Sequence, residues 1–176
     1  MDFSTKSSFR AEVRKRVAAL SAEERRQASL QVARQLLDDA IYRRSRHVLA
    51  YWALPDELDL GEFIRQQSSE KQFYLPVVNG DDLLVKPLTP NLVEGAFSIG
   101  EPTGDLCVDP TVLDYVIVPG RGFDAAGNRL GRGKGFYDRF LPKTSAYCVG
   151  VCFACQVFGT LPHDSSDRPV QQLFFA

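Results

Sequence analysis

The sequence has no excess of charge of either sign. Its 21 lysines and arginines face 22 aspartates and glutamates, which gives a formal net charge of -1 at pH 7. A general nucleic-acid-binding domain carries a strongly basic balance instead. The composition therefore argues against nucleic acid as a partner, and any positive patch must be local.

The features of an exported or membrane-embedded protein are also missing. The first residues, MDFSTKSSFRAEVRKR, lack the apolar core of a signal peptide. An uncharged run occurs at 144–163, but Gly150, Gln156 and Gly159 interrupt its apolar character. We interpret this run as a buried strand followed by a turn, not as a membrane span. We therefore expect a cytoplasmic protein with no membrane partner.

Cysteine is scarce, with 4 in 176 residues. Without an export signal, these cysteines indicate reduced thiols and not a disulfide framework. Cys152 and Cys155 have the spacing of half a metal site, but no second pair accompanies them and their surroundings are apolar. We expect buried structural thiols.

Short apolar runs alternate with helical patterns along the chain. The sequence predicts helices at 7–19 and 22–40, the second opened by a capping box of Ser21 and Glu24. It then predicts strands at 47–54, 72–78, 113–120 and 146–154, a turn at 79–82 followed by a short apolar run, and helices at 58–67 and 133–141. This alternation favours the α/β class. We expect one single-domain sandwich over residues 1–176, with a mostly parallel central sheet, flanking helices and an N-terminal helical pair.

Residues 118–140 combine six glycines with five basic residues. The stretch follows a predicted strand and opens a predicted helix, and parallel α/β folds bind ligands outside the carboxyl ends of their strands. Glycines let backbone N–H groups approach an anion, the helix N-terminus favours phosphate, and Arg132 and Lys134 add charge-assisted bonds. The stretch predicts a polyphosphate site. The alternative is a solvated surface loop whose glycines serve only turns.

The known phosphate motifs do not fit this stretch. Asn128 occupies the first-glycine position of a P-loop, and Gly135 follows Lys134 where that motif needs Ser or Thr. Phe136 stands where a dinucleotide fingerprint needs its third glycine. The site is therefore of neither kind.

The stretch PGRGFDAAGNRLGRGKGFYDRFL closely resembles the signature of the 5-formyltetrahydrofolate cyclo-ligase family, also called 5,10-methenyltetrahydrofolate synthetases. Weaker motifs fall in the family's order along nearly the whole chain. Lys6 and Arg10 fit an N-terminal Lys-x-x-apolar-Arg pattern, and YWALPDE at 51–57 fits a strand ending in Asp-Glu. YLP follows at 74–76, and LPHDSSDRPV at 161–170 resembles a Pro-x-x-x-x-Asp segment. The long glycine motif is the specific part of the resemblance.

The resemblance implies an enzyme that converts 5-formyltetrahydrofolate and MgATP to 5,10-methenyltetrahydrofolate, ADP and phosphate. Its partners would be a reduced folate and ATP as co-substrate, with Mg²⁺ as cofactor. Phosphorylation of the formyl oxygen makes a leaving group, and N10 then closes the ring. Such chemistry depends on positioning and charge neutralisation. It needs no protein nucleophile, which agrees with the lack of a convincing nucleophile–base pair in the sequence.

The resemblance also assigns residues. The implied ATP contacts are Lys6, Arg10, Arg129, Leu130, Gly131, Arg132, Gly133, Lys134, Gly135, Phe136 and Tyr137, with Arg132 and Lys134 as catalytic cations. The implied folate contacts are Trp52, Glu57, Gly133, Gly135 and Tyr137. The implied metal ligands are Asp138 and Asp167, since Mg²⁺ takes carboxylate oxygens. From spacing alone, Lys6 and Arg10 would indicate solvated basic residues. Glu57 would indicate an ordinary loop carboxylate or the start signal of the helix at 58–67.

The chain departs from the family pattern at three positions. Arg121 stands where a small or apolar residue is usual, and it either reshapes the loop or adds a phosphate contact. Phe136 replaces the first of two common tyrosines. Gln171 stands where an aspartate is frequent; if that aspartate assists the metal, Mg²⁺ affinity is reduced here.

Two alternative functions stay open at this point. One is another phosphate-handling enzyme on a similar scaffold, such as a sugar-phosphate isomerase or a CoA transferase. The other is a non-catalytic homologue that retains nucleotide or folate binding. For the assembly state we expect a monomer.

Overall fold

The computed structural model describes residues 5–95, 100–164 and 167–176. Its helices are α1 (Lys6–Ala18), α2 (Ala22–Asp38), α3 (Ala40–Arg44), α4 (Gly61–Gln67) and α5 (Phe136–Phe140). Its strands are β1 (His47–Leu49), β2 (Gln72–Asn79), β3 (Asp82–Pro87), β4 (Leu92–Glu94), β5 (Gly100–Pro102), β6 (Tyr115–Pro119), β7 (Gly122–Asp124), β8 (Arg129–Leu130), β9 (Tyr147–Cys152), β10 (Val157–Phe158) and β11 (Gln172–Phe175). Short 3-10 turns lie at Pro110–Val112, Leu141–Lys143 and Ala154–Gln156.

The centre of the fold is a sheet with strand order β11-β9-β6-β1-β2-β3. Neighbouring strands from β11 to β2 pair in parallel, and β3 joins β2 in antiparallel. Strand β6 contains the β-branched residues Val116, Ile117 and Val118 and is almost fully buried, as expected of a central parallel strand covered on both faces. The predicted α/β fold with a mostly parallel sheet is confirmed.

Each face of the sheet has its own hydrophobic cluster. Ile117 belongs to one cluster with Val13 of α1 and Leu36 of α2. Its strand neighbour Val118 belongs to the other, together with Phe140 of α5. Successive residues of a strand point to opposite faces, so this division follows from the pleat. The N-terminal helical pair therefore forms one layer, and α5 with its surroundings covers the opposite face.

The predicted end of the second helix is wrong. Helix α2 ends at Asp38, because Asp39 has an extended backbone and cannot continue the helix. Its carboxylate instead caps α3, accepting a hydrogen bond from the Ile41 N–H at 2.9 Å. Asp39 thus separates α2 from α3, although the apolar periodicity of the sequence continues across it.

The predicted strand at 47–54 and helix at 58–67 are both too long. Strand β1 ends at Leu49 and α4 begins at Gly61. Between them, the loop 50–60 is held by Glu57, whose N–H donates to the Leu54 carbonyl at 2.9 Å and whose carboxylate accepts from the Leu54 N–H at 3.0 Å. The other predicted elements are present with ends shifted by at most three residues.

The glycine-rich stretch is more ordered than the predicted loop. Strand β7 pairs with β8 in antiparallel and with β10 in parallel, forming a small second sheet. Buried Asp124 holds this corner, accepting from the backbone N–H groups of Ala126, Asn128 and Leu161 at 2.9–3.0 Å. Burial raises the pKa of Asp124, but the hydrogen bonds outweigh burial and hold it below its ordinary value.

Gly127 closes the turn between β7 and β8. Its φ is +81°, and a Cβ there would lie 2.2 Å from the Val170 carbonyl oxygen. Gly127→Ala should therefore lower the free energy of unfolding by about 3 kcal/mol or more, because left-handed strain and a backbone clash add. Gly80→Ala is the matched control, since Gly80 has φ +60° in open space and should cost only about 1–2 kcal/mol. Urea denaturation compares them, and equal losses would contradict the clash.

The structure shows where the two closely spaced cysteines lie and whether any helix could span a membrane. Cys152 is buried and Cys155 is partly buried, and burial raises the pKa of both thiols. Within the described residues, no helix has the length and apolar character needed to cross a membrane.

Candidate active site

A cleft of about 470 Å³ opens at the carboxyl ends of β1 and β6. Its lining includes the loop 50–60, parts of β2 and β3, residues 119–121 after β6, and the stretch 129–137. Parallel α/β folds bind ligands at this edge of the sheet. The glycine-rich stretch therefore lies where the sequence predicts it, beside residues of the loop 50–60 that are far away along the chain.

Part of the cleft wall is aromatic. Tyr51, Trp52, Phe136 and Tyr137 contribute to it. Trp52 is wedged between two glycines, because a Cβ at Gly61 would lie 3.6 Å from its ring and one at Gly100 would lie 3.2 Å from it. A fixed indole beside further rings suits a flat ring system, which gains contact area at little cost in side-chain entropy.

Another part of the wall is basic. Arg121, Arg129, Arg132 and Lys134 contribute to it. Lys134 is exposed, and its ammonium group has no hydrogen bond or ion pair within the described residues. The three arginines, in contrast, all pair with carboxylates of the protein. Lys134 is thus the cation that a ligand can use without breaking an existing contact.

Arg132 and Glu57, which both line the cleft, form an ion pair with each other. Arg132 donates from Nε and Nη2 to Oε1 of Glu57, at 3.0 and 2.9 Å. The other carboxylate oxygen of Glu57 accepts from the Leu54 N–H. The side chain of Glu57 is 13% exposed, whereas that of Arg132 is 35% exposed. A predicted ATP contact and a predicted folate contact therefore form an ion pair with each other.

Arg129 has a structural role that the sequence did not indicate. Its side chain is only 6% exposed, and Nη2 donates to Oδ1 of Asp138 at 2.6 Å. The guanidinium group lies against Gly131, where a Cβ would be 2.9 Å from it, and 5.3 Å from the ring centre of Tyr137. A side chain at Gly131 would therefore force the buried guanidinium group of Arg129 to shift, and that group contacts Asp138 and Tyr137.

Residues of α1 approach the glycine-rich stretch from another direction. Arg10 donates from Nε to the Gly131 carbonyl at 2.8 Å, and a Cβ at Gly133 would lie 3.7 Å from its guanidinium group. Lys6 donates to Asp164 at 2.7 Å and to Asp167 at 2.9 Å. These two carboxylates raise the pKa of Lys6.

The predicted site residues thus form two groups. Trp52, Glu57, Arg129, Gly131, Arg132, Lys134, Gly135, Phe136 and Tyr137 line the cleft. Lys6, Arg10, Gly133, Asp138 and Asp167 do not line it, although Arg10 touches the stretch at Gly131. Leu130 differs from both groups, because its side chain is buried against Phe9 and Leu161. Only its backbone can contact a ligand.

The two predicted metal ligands are each paired with a cation. Asp138 accepts from Arg129 through Oδ1, and its side chain is 36% exposed. Burial raises the pKa of Asp167, but the hydrogen bond and charge of Lys6 outweigh burial, so the pKa lies below its ordinary value. The charge of Arg129 also lowers this pKa. Within the described residues, no group of three or more His, Cys, Asp or Glu could hold a metal. These residues fit a Mg²⁺ that arrives with phosphate oxygens, which needs only one or two carboxylates.

The expected helix N-terminus contributes less than predicted. Helix α5 has only five residues, from Phe136 to Phe140, and Gly135 precedes it with φ +70° and no side-chain cap. A helix this short has a weak dipole, so the anion-binding character must come from the loop glycines and the cations.

Tyr137, a predicted ATP and folate contact, has a feature that the sequence did not indicate. Its hydroxyl group is buried and has no hydrogen-bond partner within the described residues. Burial raises the pKa of Tyr137, with the charge of Glu57 adding to this. A buried hydroxyl without a partner is costly, and Tyr137 also lines the cleft.

A family model described as the 5-formyltetrahydrofolate cyclo-ligase family matches residues 2–175. The chain belongs to this family. It is 28% identical to the mouse 5-formyltetrahydrofolate cyclo-ligase, over 98% of this chain and 94% of that protein. It is 30% identical to the Haemophilus influenzae protein of the same name, over 97% of each. Among solved structures it resembles the Aquifex aeolicus 5,10-methenyltetrahydrofolate synthetase, with a TM-score of 0.88 and 38% identity over 97% of this chain and 89% of that one.

Each of the three residues at which we expect a departure from the family pattern has contacts of its own in the structure. Gln171 accepts from the Cys148 N–H at 2.8 Å, so its side chain ties β9 to the segment before β11. Phe136 keeps its ring on the cleft wall, with Arg139 5.6 Å from the ring centre. Arg121 forms an ion pair with Asp56.

Proposed function

We propose that this cyclo-ligase family member converts 5-formyltetrahydrofolate and MgATP to 5,10-methenyltetrahydrofolate, ADP and phosphate. The observation that supports it is one cleft in which the aromatic wall with Glu57 meets the glycine-rich rim with Arg132 and Lys134. A pterin is flat and shows adjacent N–H donors along one edge, and a triphosphate needs cations and accessible backbone. The cleft offers both kinds of surface within one volume.

The chemistry begins with the formyl oxygen, because an N-formyl amide is a poor electrophile. This oxygen bonds to the γ-phosphorus while the bond to the ADP oxygen breaks, so ADP leaves with the electron pair. N10 then bonds to the formyl carbon and loses its proton. The carbon–oxygen bond breaks, and the oxygen departs within inorganic phosphate.

Lys134 and Arg132 are the cations that we assign to the transferring phosphoryl group. Charge in that transition state is spread over phosphate oxygens, so preorganised cations lower the barrier. Lys134 is already free to bind, whereas Arg132 must first leave Glu57. We assign Asp138 and Asp167 to the Mg²⁺ that accompanies ATP, with Lys6 and Arg10 contributing from α1.

Glu57, Trp52 and Tyr137 are the residues that we assign to the folate. When Arg132 leaves, Oε1 of Glu57 becomes available for the pterin donors, while Oε2 stays on the Leu54 N–H. Trp52 supplies a ring surface, and the unpartnered Tyr137 hydroxyl supplies one further hydrogen bond. Substrate binding and the release of Arg132 are therefore coupled through one carboxylate.

The test is an assay with the purified protein, MgATP and 5-formyltetrahydrofolate. We expect the ultraviolet absorbance of the methenyl product to appear, with ADP and phosphate released in equal amounts and only when the folate is present. Binding of both ligands without product would favour the non-catalytic homologue. ATP turnover that ignores the folate would favour a different phosphate-handling enzyme.

We further propose that residues 1–176 act as one domain and as a monomer in the cytoplasm, on small-molecule substrates and with no nucleic acid or membrane partner. The near-balanced charge supports the exclusion of nucleic acid. Gel filtration with light scattering tests the monomer, and a mass of twice 19.6 kDa would contradict it.

A further inference from the structure

Asp56 is shared by two arginines that come from different parts of the glycine-rich segment. Arg121 pairs with Oδ2 of Asp56 through Nη1, and Arg132 pairs with Oδ1 through Nη2. Arg132 also pairs with the neighbouring Glu57. Burial raises the pKa of Asp56, but Arg132 and Arg121 outweigh burial and lower it overall. Two carboxylates and two guanidinium groups thus form a neutral network at the cleft.

The two arginines differ in the hydrogen bonds of their backbones and in the exposure of their side chains. The backbone of Arg121 is fixed on both sides, because its N–H donates to the Leu130 carbonyl at 2.7 Å and its carbonyl accepts from Gln156 Nε2 at 2.9 Å. Its side chain is 14% exposed. Arg132 is 35% exposed and is followed by Gly133 with φ +103°. Arg132 is therefore the partner that can leave Asp56.

The departure of Arg132 has a cost that depends on Arg121. Removing one partner of a partly buried ion pair leaves an uncompensated charge, and this penalty exceeds the net value of the pair. If Arg132 were the sole partner of Asp56 and Glu57, its departure would leave two unpaired carboxylates close to an anionic nucleotide. With Arg121 in place, Asp56 keeps a counter-ion and its position.

We propose that Arg121 is a positioning residue that neutralises Asp56 while Arg132 moves from the Asp56 and Glu57 carboxylates to the phosphates of ATP. The proposal rests on the proposed function, because it requires ATP to bind here.

The experiment measures MgATP affinity by calorimetry in a double-mutant cycle. Arg121→Leu should raise the Kd for MgATP about tenfold, within the coupling expected for residues of one ion-pair network. In the Asp56→Asn background the same change should matter less than about twofold, because the shared carboxylate is gone. Arg121→Lys keeps the charge and should recover most of the affinity. In the assay, the loss should appear in KM for MgATP and not in kcat.

Each other outcome overturns the proposal. An equal loss in the Asp56→Asn background would show that Arg121 acts on the nucleotide directly. An unchanged Kd in Arg121→Leu, with a wild-type protein that binds MgATP, would show that Arg132 needs no help to move. A wild-type protein that binds no MgATP would overturn the proposed function as well, so the two failures are distinguishable. Thermal melting of every variant shows whether it is folded. A loss of MgATP affinity in a variant that melts like the wild type, with recovery in Arg121→Lys, is the effect of the ion pair and not of a general loss of structure.

Discussion

Lys134→Ala should lower kcat for the methenyl product by about 100- to 1000-fold, because one electrostatic contact to a developing charge contributes roughly 2.7–4 kcal/mol to transition-state stabilisation. Lys134 suits this test because its ammonium group has no partner within the described residues, so its removal breaks no contact of the free protein. Its backbone carbonyl accepts from Arg139, and the substitution leaves that bond intact. Folding should therefore be unaffected.

The measurement is the rate of absorbance increase at saturating substrates, with Lys143→Ala as the matched control. Lys143 is also an exposed lysine, but it pairs with Asp82 at 2.7 Å and lies outside the cleft lining. The control should keep kcat within about twofold, as expected for a surface change away from the site. A folded Lys134→Ala protein that turns over at the control rate would mean that the phosphates bind elsewhere.

The central sheet could be predicted because its strands carry their own signal. Tyr115–Pro119 and Tyr147–Cys152 are continuous apolar runs, and such runs are typical of parallel strands covered on both faces. The ends of the elements could not be predicted in the same way. Asp39 ends α2 through a single cap, and the loop 50–60 is held by bonds of Glu57, which periodicity does not register.

The small second sheet could not be predicted from the sequence because its strands are too short. Strands β7, β8 and β10 are two or three residues long, and such segments have almost no periodicity. They form because distant residues meet there: Asp124 accepts from Leu161, and Gln156 donates to the Gly120 carbonyl at 3.1 Å. Only the tertiary fold brings these partners together.

The candidate site also has a part that the sequence predicts, which is contiguous, and a part that depends on residues distant in sequence. The stretch 129–137 is contiguous, so glycine and charge density could indicate a phosphate site without any resemblance. Trp52 and Glu57 lie far from it in sequence, and spacing alone would favour a loop carboxylate at Glu57. The resemblance named both, and the structure places both at the cleft. Neither source indicated that Arg129 is an internal cation for Asp138, because burial decides that role.

Glu57→Gln should raise the Kd for 5-formyltetrahydrofolate by at least about tenfold, since a hydrogen bond to a charged group contributes roughly 1.5–3 kcal/mol. In the structure both carboxylate oxygens are occupied, one by Arg132 and one by the Leu54 N–H. An amide retains a single acceptor. If that oxygen stays with Leu54, the amide N–H₂ faces the pterin donors and opposes them.

The affinity for MgATP distinguishes this role from general damage to the cleft. In the variant Arg132 loses its ion pair with Glu57 and keeps the one with Asp56, so it leaves more readily and MgATP should bind no more weakly than to the wild type. Calorimetric titration with each ligand measures this, with Glu23→Gln as the control, because Glu23 is an exposed carboxylate on α2 that pairs with Arg26. An unchanged folate affinity would remove Glu57 from the folate site. Equal losses for both ligands would indicate that Glu57 acts only by holding the loop 50–60.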